Sequence, residues 1–313
     1  MNQKTLTKTP IVCLLTLICC FLWGSAFPSI KIGYQMFSVG SSDVAGQILF
    51  AGIRFTLAGI LVILIGSLAS RKFLRPRRSS LLPIGALSLA QTIIQYFFFY
   101  IGMANTTGVK SSIIDAASTF FAILMASLVF RYEKLTRSKL IGCIVGFAGV
   151  VLINLAGGTM DLHLKINGEG FILIAALSYG LSSVLIKKFS VSEDPVMLSG
   201  WQFILGGLVL AAGGFLMGGR ISGFTPASTL LLLYMAMISA VAYSLWGLLL
   251  KYNPVSRITV FGFMNPVFGV ILSALLLGED NQAFSLYGLA ALVLVSVGIY
   301  LVNRRSSSAG SGS

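Results

Sequence analysis

Ten apolar runs joined by short polar links dominate this sequence, and they leave the backbone few options. The runs cover 11–32, 45–69, 81–102, 108–130, 137–155, 168–188, 196–217, 227–250, 256–277 and 283–302, and each link is about a dozen residues or shorter. About 20 apolar residues, rising 1.5 Å each as a helix, match the hydrocarbon thickness of a bilayer. In lipid a segment must satisfy its own backbone hydrogen bonds, so each run is expected to be a membrane-spanning helix. The composition fits, with 56% of residues hydrophobic and 10% charged. The predicted fold class is an all-α integral membrane protein of ten transmembrane helices, with no room in the links for a soluble domain. The Ser/Gly-rich tail, 304–313, is expected to be flexible and to carry no fold.

A net charge of +13 could signal a nucleic-acid partner, but its placement argues otherwise. Of 22 Lys and Arg residues, Lys31, Lys110, Lys165 and Arg220 fall on one side and Arg54 lies within a run, leaving 17 on the other side. The positive-inside rule makes that richer side cytoplasmic, with both termini there, in a cell (inner) membrane. Its partners are then anionic lipids, each nearby cation contributing ~1 kcal/mol, and no nucleic acid. Cys13, Cys19, Cys20 and Cys143 all sit in apolar runs and read as small buried hydrophobes, not as a disulfide or metal framework. Lys4 and Lys8 before the first run give it the look of a signal peptide, but its internal counterpart, described next, points to a retained helix.

The chain repeats itself. Trp23-Gly24 and Lys31 correspond to Tyr179-Gly180 and Lys187, Arg54-Phe55 to Gln202-Phe203, Gly142 to Gly288, and Glu133 to Glu279. The two units are 10–155 and 165–303, five runs each. An odd number of crossings forces tandem copies to traverse the membrane in opposite senses, giving two inverted five-helix repeats. Such repeats place a site near the midplane between the halves and serve alternating access.

These residues carry a resemblance to the EamA-type family of the drug/metabolite transporter superfamily. It rests on Trp23-Gly24-Ser25, Arg54-Phe55, the Pro266…Gly278-Glu279…Gly288…Gly298 pattern, and the first-half echo Glu133…Gly142…Gly149. It covers about residues 10–303, with one departure: Phe120 stands where the first-half counterpart of Pro266 would be. The resemblance implies a carrier of small organic metabolites, often an exporter, with a central cavity lined by runs 1, 3, 4, 6, 8 and 9.

Asp115 is the sharpest candidate. It lies about 10 Å into run 4, where an acid costs ~2.5–3.5 kcal/mol at the bilayer centre and must face a cavity or a partner. With Ser111, Ser118 and Ala122 it forms a polar stripe on one helical face. It reads either as a proton-coupling or substrate-cation site, or as a carboxylate paired with Lys110 or Arg54 or wetted from the outer vestibule. Arg54, about 14 Å into run 2, is either structural or a binder of anions through its planar fork. Gln91, Gln95 and Tyr96 in run 3, Ser239, Tyr243 and Trp246 in run 8, Trp23, Tyr179 and Ser182 by repeat position, and Ser25 beside Trp23 in the Trp23-Gly24-Ser25 motif complete a candidate cavity lining, the buried amides either bonding a substrate or bridging helices. Aromatic walls with a few polar handles suit a small-molecule site. Pro28 and Pro266 each remove a backbone hydrogen bond and are hinge or kink candidates. Gly142, Gly146 and Gly149 form a ridge for close packing within a monomer or against a second copy.

Enzyme chemistry finds little footing. The sole histidine, His163, falls in a link, a single internal acid cannot make an aspartyl dyad, and no GxxxxGK[ST] loop is present. No cofactor or metal is expected. The sequence points to a secondary transporter of metabolites such as amino acids or their derivatives. A passive facilitator and a lipid-linked carrier flippase are the alternatives.

Overall fold

A computed structural model describes residues 3–40, 42–105, 114–155, 165–277 and 286–304. These residues form helices and connecting turns with no strand among them. The helices are α1 (Thr9–Met36), α2 (Val44–Ser70), α3 (81–105), α4 (Ile114–Val129), α5 (Arg137–Leu155), α6 (Ile166–Phe189), α7 (Pro195–Leu216), α8 (Pro226–Tyr252), α9 (255–277) and α10 (Leu286–Asn303). Seven are long and apolar enough to cross a membrane, counting α3 from Arg78; α4 is a shorter apolar helix. Run 4 was expected to begin near 108, but 106–113 lie outside the described residues, as do Ser111, Lys110, His163, Glu279 and the tail from 305.

Ends and interruptions follow local chemistry. Asp43 caps α2 by accepting from the Gly46 amide, and Asp194 caps α7 through the Val196 and Met197 amides. Thr225 and Ser228 make a reciprocal capping box at the start of α8, where Pro226 occupies a first-turn position that needs no donor. Run 9 was expected to be one helix; α9 instead changes pitch, with a 3-10 stretch at Val260–Phe263 between two α-helical parts. Pro266 falls in the first turn of the second part, where its missing N–H costs least. Pro28, by contrast, sits inside a continuous α1, and Ser25 and Ser29 hydroxyls bond the nearby Leu22 and Ser25 carbonyls. Within α3, Ser88–Ile94 is π-helical, a local underwinding that shifts which side chains face the interior.

Glycines set the two largest helix–helix interfaces. A Cβ at Gly52 would meet the Ala211 backbone at 2.2 Å, at Gly207 that of Thr56 at 2.5 Å, at Gly59 that of Ile204 at 2.6 Å, and at Gly214 that of Leu49 at 2.4 Å. As α2 counts up, its partner positions on α7 count down, so these equivalent helices run antiparallel. The same holds for α5 and α10, where Gly142 faces Gly298 and Gly149 faces Ala291. The Gly142, Gly146 and Gly149 ridge is therefore used within the chain, with Gly146 against the Phe263 ring.

The remaining contacts recur with the halves exchanged. α1 packs on α9 as α6 packs on α4, and α1 packs on α8 as α6 packs on α3. Gly24 admits α9 at Phe268, while its repeat counterpart Gly180 admits α4 at Phe121 and Ala122. Equivalent helices that meet antiparallel, under contacts that survive the exchange, are what a two-fold pseudo-axis between inverted repeats produces.

Candidate functional site

Aromatic rings gather where α1, α3, α6 and α8 converge. Trp23 meets Tyr179, Tyr243 and Trp246 edge-on, with ring centroids 6.4, 5.1 and 4.9 Å away. Such edge contacts are the favoured geometry for aromatic pairs. The Tyr96 hydroxyl hydrogen-bonds that of Tyr243 at 2.9 Å, and the Tyr96 ring lies 4.3 Å from Phe55. Tyr243 and Trp246 are buried, whereas Trp23, Tyr96, Tyr179 and Asp115 keep part of their surface accessible. Asp115 lies within electrostatic reach of Tyr179 and Tyr243, and Arg54 within reach of Tyr34, Tyr96 and Tyr243. The acid and the cation thus both act on one aromatic cluster, with Tyr243 within reach of each.

Several polar atoms in and around this cluster are buried without a hydrogen-bond partner: Trp23 Nε1, Trp246 Nε1, Gln95 Oε1, Tyr34 Oη, Tyr100 Oη and Arg54 Nε. All but one belong to donor groups. Desolvating a polar group without a partner is costly.

Gln91 behaves differently from its neighbours. Its Nε2 donates to Ser182 Oγ at 3.3 Å and its Oε1 accepts from Gln202 Nε2 at 3.1 Å. Gln202 Oε1 in turn accepts from the Thr92 hydroxyl at 2.8 Å, and Ser88 donates to the Gln202 carbonyl at 3.0 Å. This amide network stitches the π-helical part of α3 to α6 and α7. Ser182 also donates to the Tyr179 carbonyl.

The other candidates are placed less centrally. Ser25 lies two residues beyond Trp23, about 200° around the helix, and hydrogen-bonds Tyr234 at 2.9 Å on the outer side of α8. Ser118 is buried one turn beyond Asp115, and Ser239 is buried one turn before Tyr243. Asp115 forms no ion pair with Arg54; Lys110, the other expected partner, is outside the described residues.

Sequence reasoning missed a second cluster at the end of the bundle where Leu6, Asn253 and Leu301 lie. Lys187 Nζ donates to the Leu250 and Asn253 carbonyls at 2.9 and 2.5 Å, closing the C-terminus of α8 with a cation. Glu133 accepts from the Ser256 amide at 2.8 Å and from the Ser256 hydroxyl, closing the N-terminus of α9 with an anion. Lys139 pairs with the same carboxylate at 2.5 Å. A cleft of about 570 Å³ opens beside it, lined in part by Thr7, Thr9, Glu133, Lys139, Arg257 and Asn303. The repeat marked Glu133, but nothing in the linear pattern revealed that the α8–α9 turn is gripped by opposite charges.

Comparison with known proteins agrees with this architecture. The profile of the EamA-like transporter family matches residues 10–155 and again 166–304. "Uncharacterized transporter YvbV" of Bacillus subtilis is 26% identical, over 97% of this chain and 95% of its own. "Probable amino-acid metabolite efflux pump" of Salmonella typhimurium is 26% identical over 92% and 93%, and "Probable terminal-alkyne amino-acid exporter" of Streptantibioticus cattleyicolor 26% over 91% and 90%. A solved crystal structure, 16% identical, shares the fold with a TM-score of 0.74 over 95% of this chain and 97% of that one. Two family matches covering nearly the whole length, on a bundle whose equivalent helices pair antiparallel, make this chain a multi-pass membrane protein of the EamA-like transporter family.

Proposed function

We propose that the protein exports small amphipathic metabolites, amino acids or their derivatives, by alternating access around the aromatic cluster of α1, α3, α6 and α8. The observation that carries this reading is the cluster itself: a set of rings with unbonded donors, bordered by one acid and one cation, at the meeting of two antiparallel-paired halves. Relatives named for amino-acid metabolite efflux support the substrate class and the outward direction. The units 10–155 and 165–303 rock against each other, with both termini on the basic, cytoplasmic side.

Asp115 is the candidate coupling group. It is the one described acid within α4, partly accessible beside Tyr179 and Tyr243, so a proton or a substrate ammonium can neutralise it there. The test is export of labelled amino acids from cells or everted vesicles, with and without an imposed proton gradient. Export that collapses with the gradient, and that loses this dependence in Asp115→Asn, is the expected result. Flux unchanged by collapsing the gradient assigns the protein to passive facilitation instead. No export of any amino acid or derivative removes the substrate class.

A further inference from the structure

Arg54 borders the aromatic cluster in surroundings that leave its donors unused. The side chain is 4% exposed in the middle of α2. Its guanidinium carbon sits 4.5 Å from the centre of the Phe55 ring, a cation–π contact that leaves the in-plane donors free. No ion pair to it exists among the described residues, and its Nε is buried with no hydrogen-bond partner. A structural arginine stacks on a ring or bonds carbonyls; the stacking on Phe55 is present and engages only the face of the guanidinium, while no carbonyl is bonded to it among the described residues.

Two phenols complete the site. The hydroxyls of Tyr34 on α1 and Tyr100 on α3 are buried beside each other, neither has a partner at ordinary hydrogen-bond geometry, and each is the nearest group the other could bond; Tyr34 also lies within reach of the Arg54 charge. Both rings belong to the apolar cluster that includes Phe55 and Tyr243. The other half of the protein provides an internal control. Gln202, the repeat counterpart of Arg54, is neutral and satisfied by Gln91 and Thr92. Where the second half has a bonded amide, the first half keeps a buried cation and two adjacent phenols that can satisfy at most one of their two donors between them. Burying such a set is costly unless an anion completes it.

We propose that Arg54, Tyr34 and Tyr100 form an anion subsite that takes the carboxylate of the transported metabolite. The inference rests on the carrier reading of the same cluster and adds to it which end of the substrate is held, and by what. The guanidinium fork matches a carboxylate in two parallel hydrogen bonds, and the phenols donate to its remaining lone pairs. The aromatic cluster next to it receives the apolar part of the molecule.

The experiment measures thermal stabilisation of detergent-purified full-length protein by the proteinogenic amino acids, their carboxamides and their des-amino acids. A ligand that binds the folded state raises the melting temperature. Apolar amino acids and their des-amino acids are expected to stabilise the wild type, and the matched carboxamides are not. Arg54→Gln and Arg54→Lys should erase the preference for carboxylates. Tyr34→Phe and Tyr100→Phe should each weaken carboxylate binding by about ten- to a hundredfold, as loss of one hydrogen bond to a charged group implies. Those phenylalanine variants keep the shape of the site and decide the matter should the arginine variants fail to fold. Equal stabilisation by carboxamides, a preference that survives all four substitutions, or no stabilisation by any carboxylate overturns the subsite. Export by the wild type in cells, measured separately, tells whether the carrier reading falls with it.

Discussion

The hydroxyls of Tyr96 and Tyr243 lie 2.9 Å apart and tie α3 of the first half to α8 of the second inside an apolar surround. Tyr243 also packs on Trp23 and Phe203, so this one side chain touches both repeats. Removing the Tyr96 hydroxyl leaves that of buried Tyr243 without a partner, and the reverse change leaves that of the partly accessible Tyr96 without one. Tyr96→Phe and Tyr243→Phe should each lower stability by about 1–3 kcal/mol, and the double variant by less than the sum of the two. Melting curves of the three variants in one detergent check this. Strict additivity would mean that the hydroxyls do not interact.

Much of this architecture was legible in the sequence because lipid imposes a single rule on every segment. Run 5 was read as 137–155 and α5 is Arg137–Leu155. The repeat was legible too, since Gly24 and Gly180 are both needed where a helix crosses closely. What escaped was phase within a helix. The π-helical stretch of α3 turns Gln91 toward α7, where Gln202 uses it; hydropathy carries no record of that rotation. Ser25 was grouped with Trp23 by adjacency, though a two-residue step sends it to the other side of α1. The pairing of Arg54 with Gln202 was visible as an alignment, but which of them is satisfied depends on neighbours far apart in the chain.

Close helix crossings give a paired prediction. A Cβ at Gly24 would lie 2.5 Å from the Phe268 Cβ and 3.0 Å from the α9 backbone; at Gly180 it would lie 2.7 Å from the Phe121 Cβ. Gly24→Ala and Gly180→Ala should each cost about 1–3 kcal/mol, since backbone on the far side cannot yield easily. Gly213 also lies in a helix, but a Cβ there meets nothing within 4 Å. Gly213→Ala should stabilise the fold by about 0.5–1 kcal/mol, the entropy that glycine loses in a helix. Thermal melting of the three variants is the check, and the contrast in sign between Gly213 and the other two is the expected signature.

The gripped turn between α8 and α9 makes a prediction at the other end of the molecule. Glu133 accepts from the Ser256 amide, the Ser256 hydroxyl and Lys139, with its side chain 8% exposed. Glu133→Ala removes all three at once and should destabilise by about 1.5–3 kcal/mol, the range for hydrogen bonds to a charged group. Part of that loss is the Lys139 ammonium left 15% exposed without its carboxylate. Lys139→Met made in the Glu133→Ala background should therefore recover stability, whereas the same change in the wild type should lower it. Opposite signs in the two backgrounds, read from melting temperatures, would establish that the pair acts together. A loss of equal size in both would assign the anchoring of α9 to the Ser256 bonds alone.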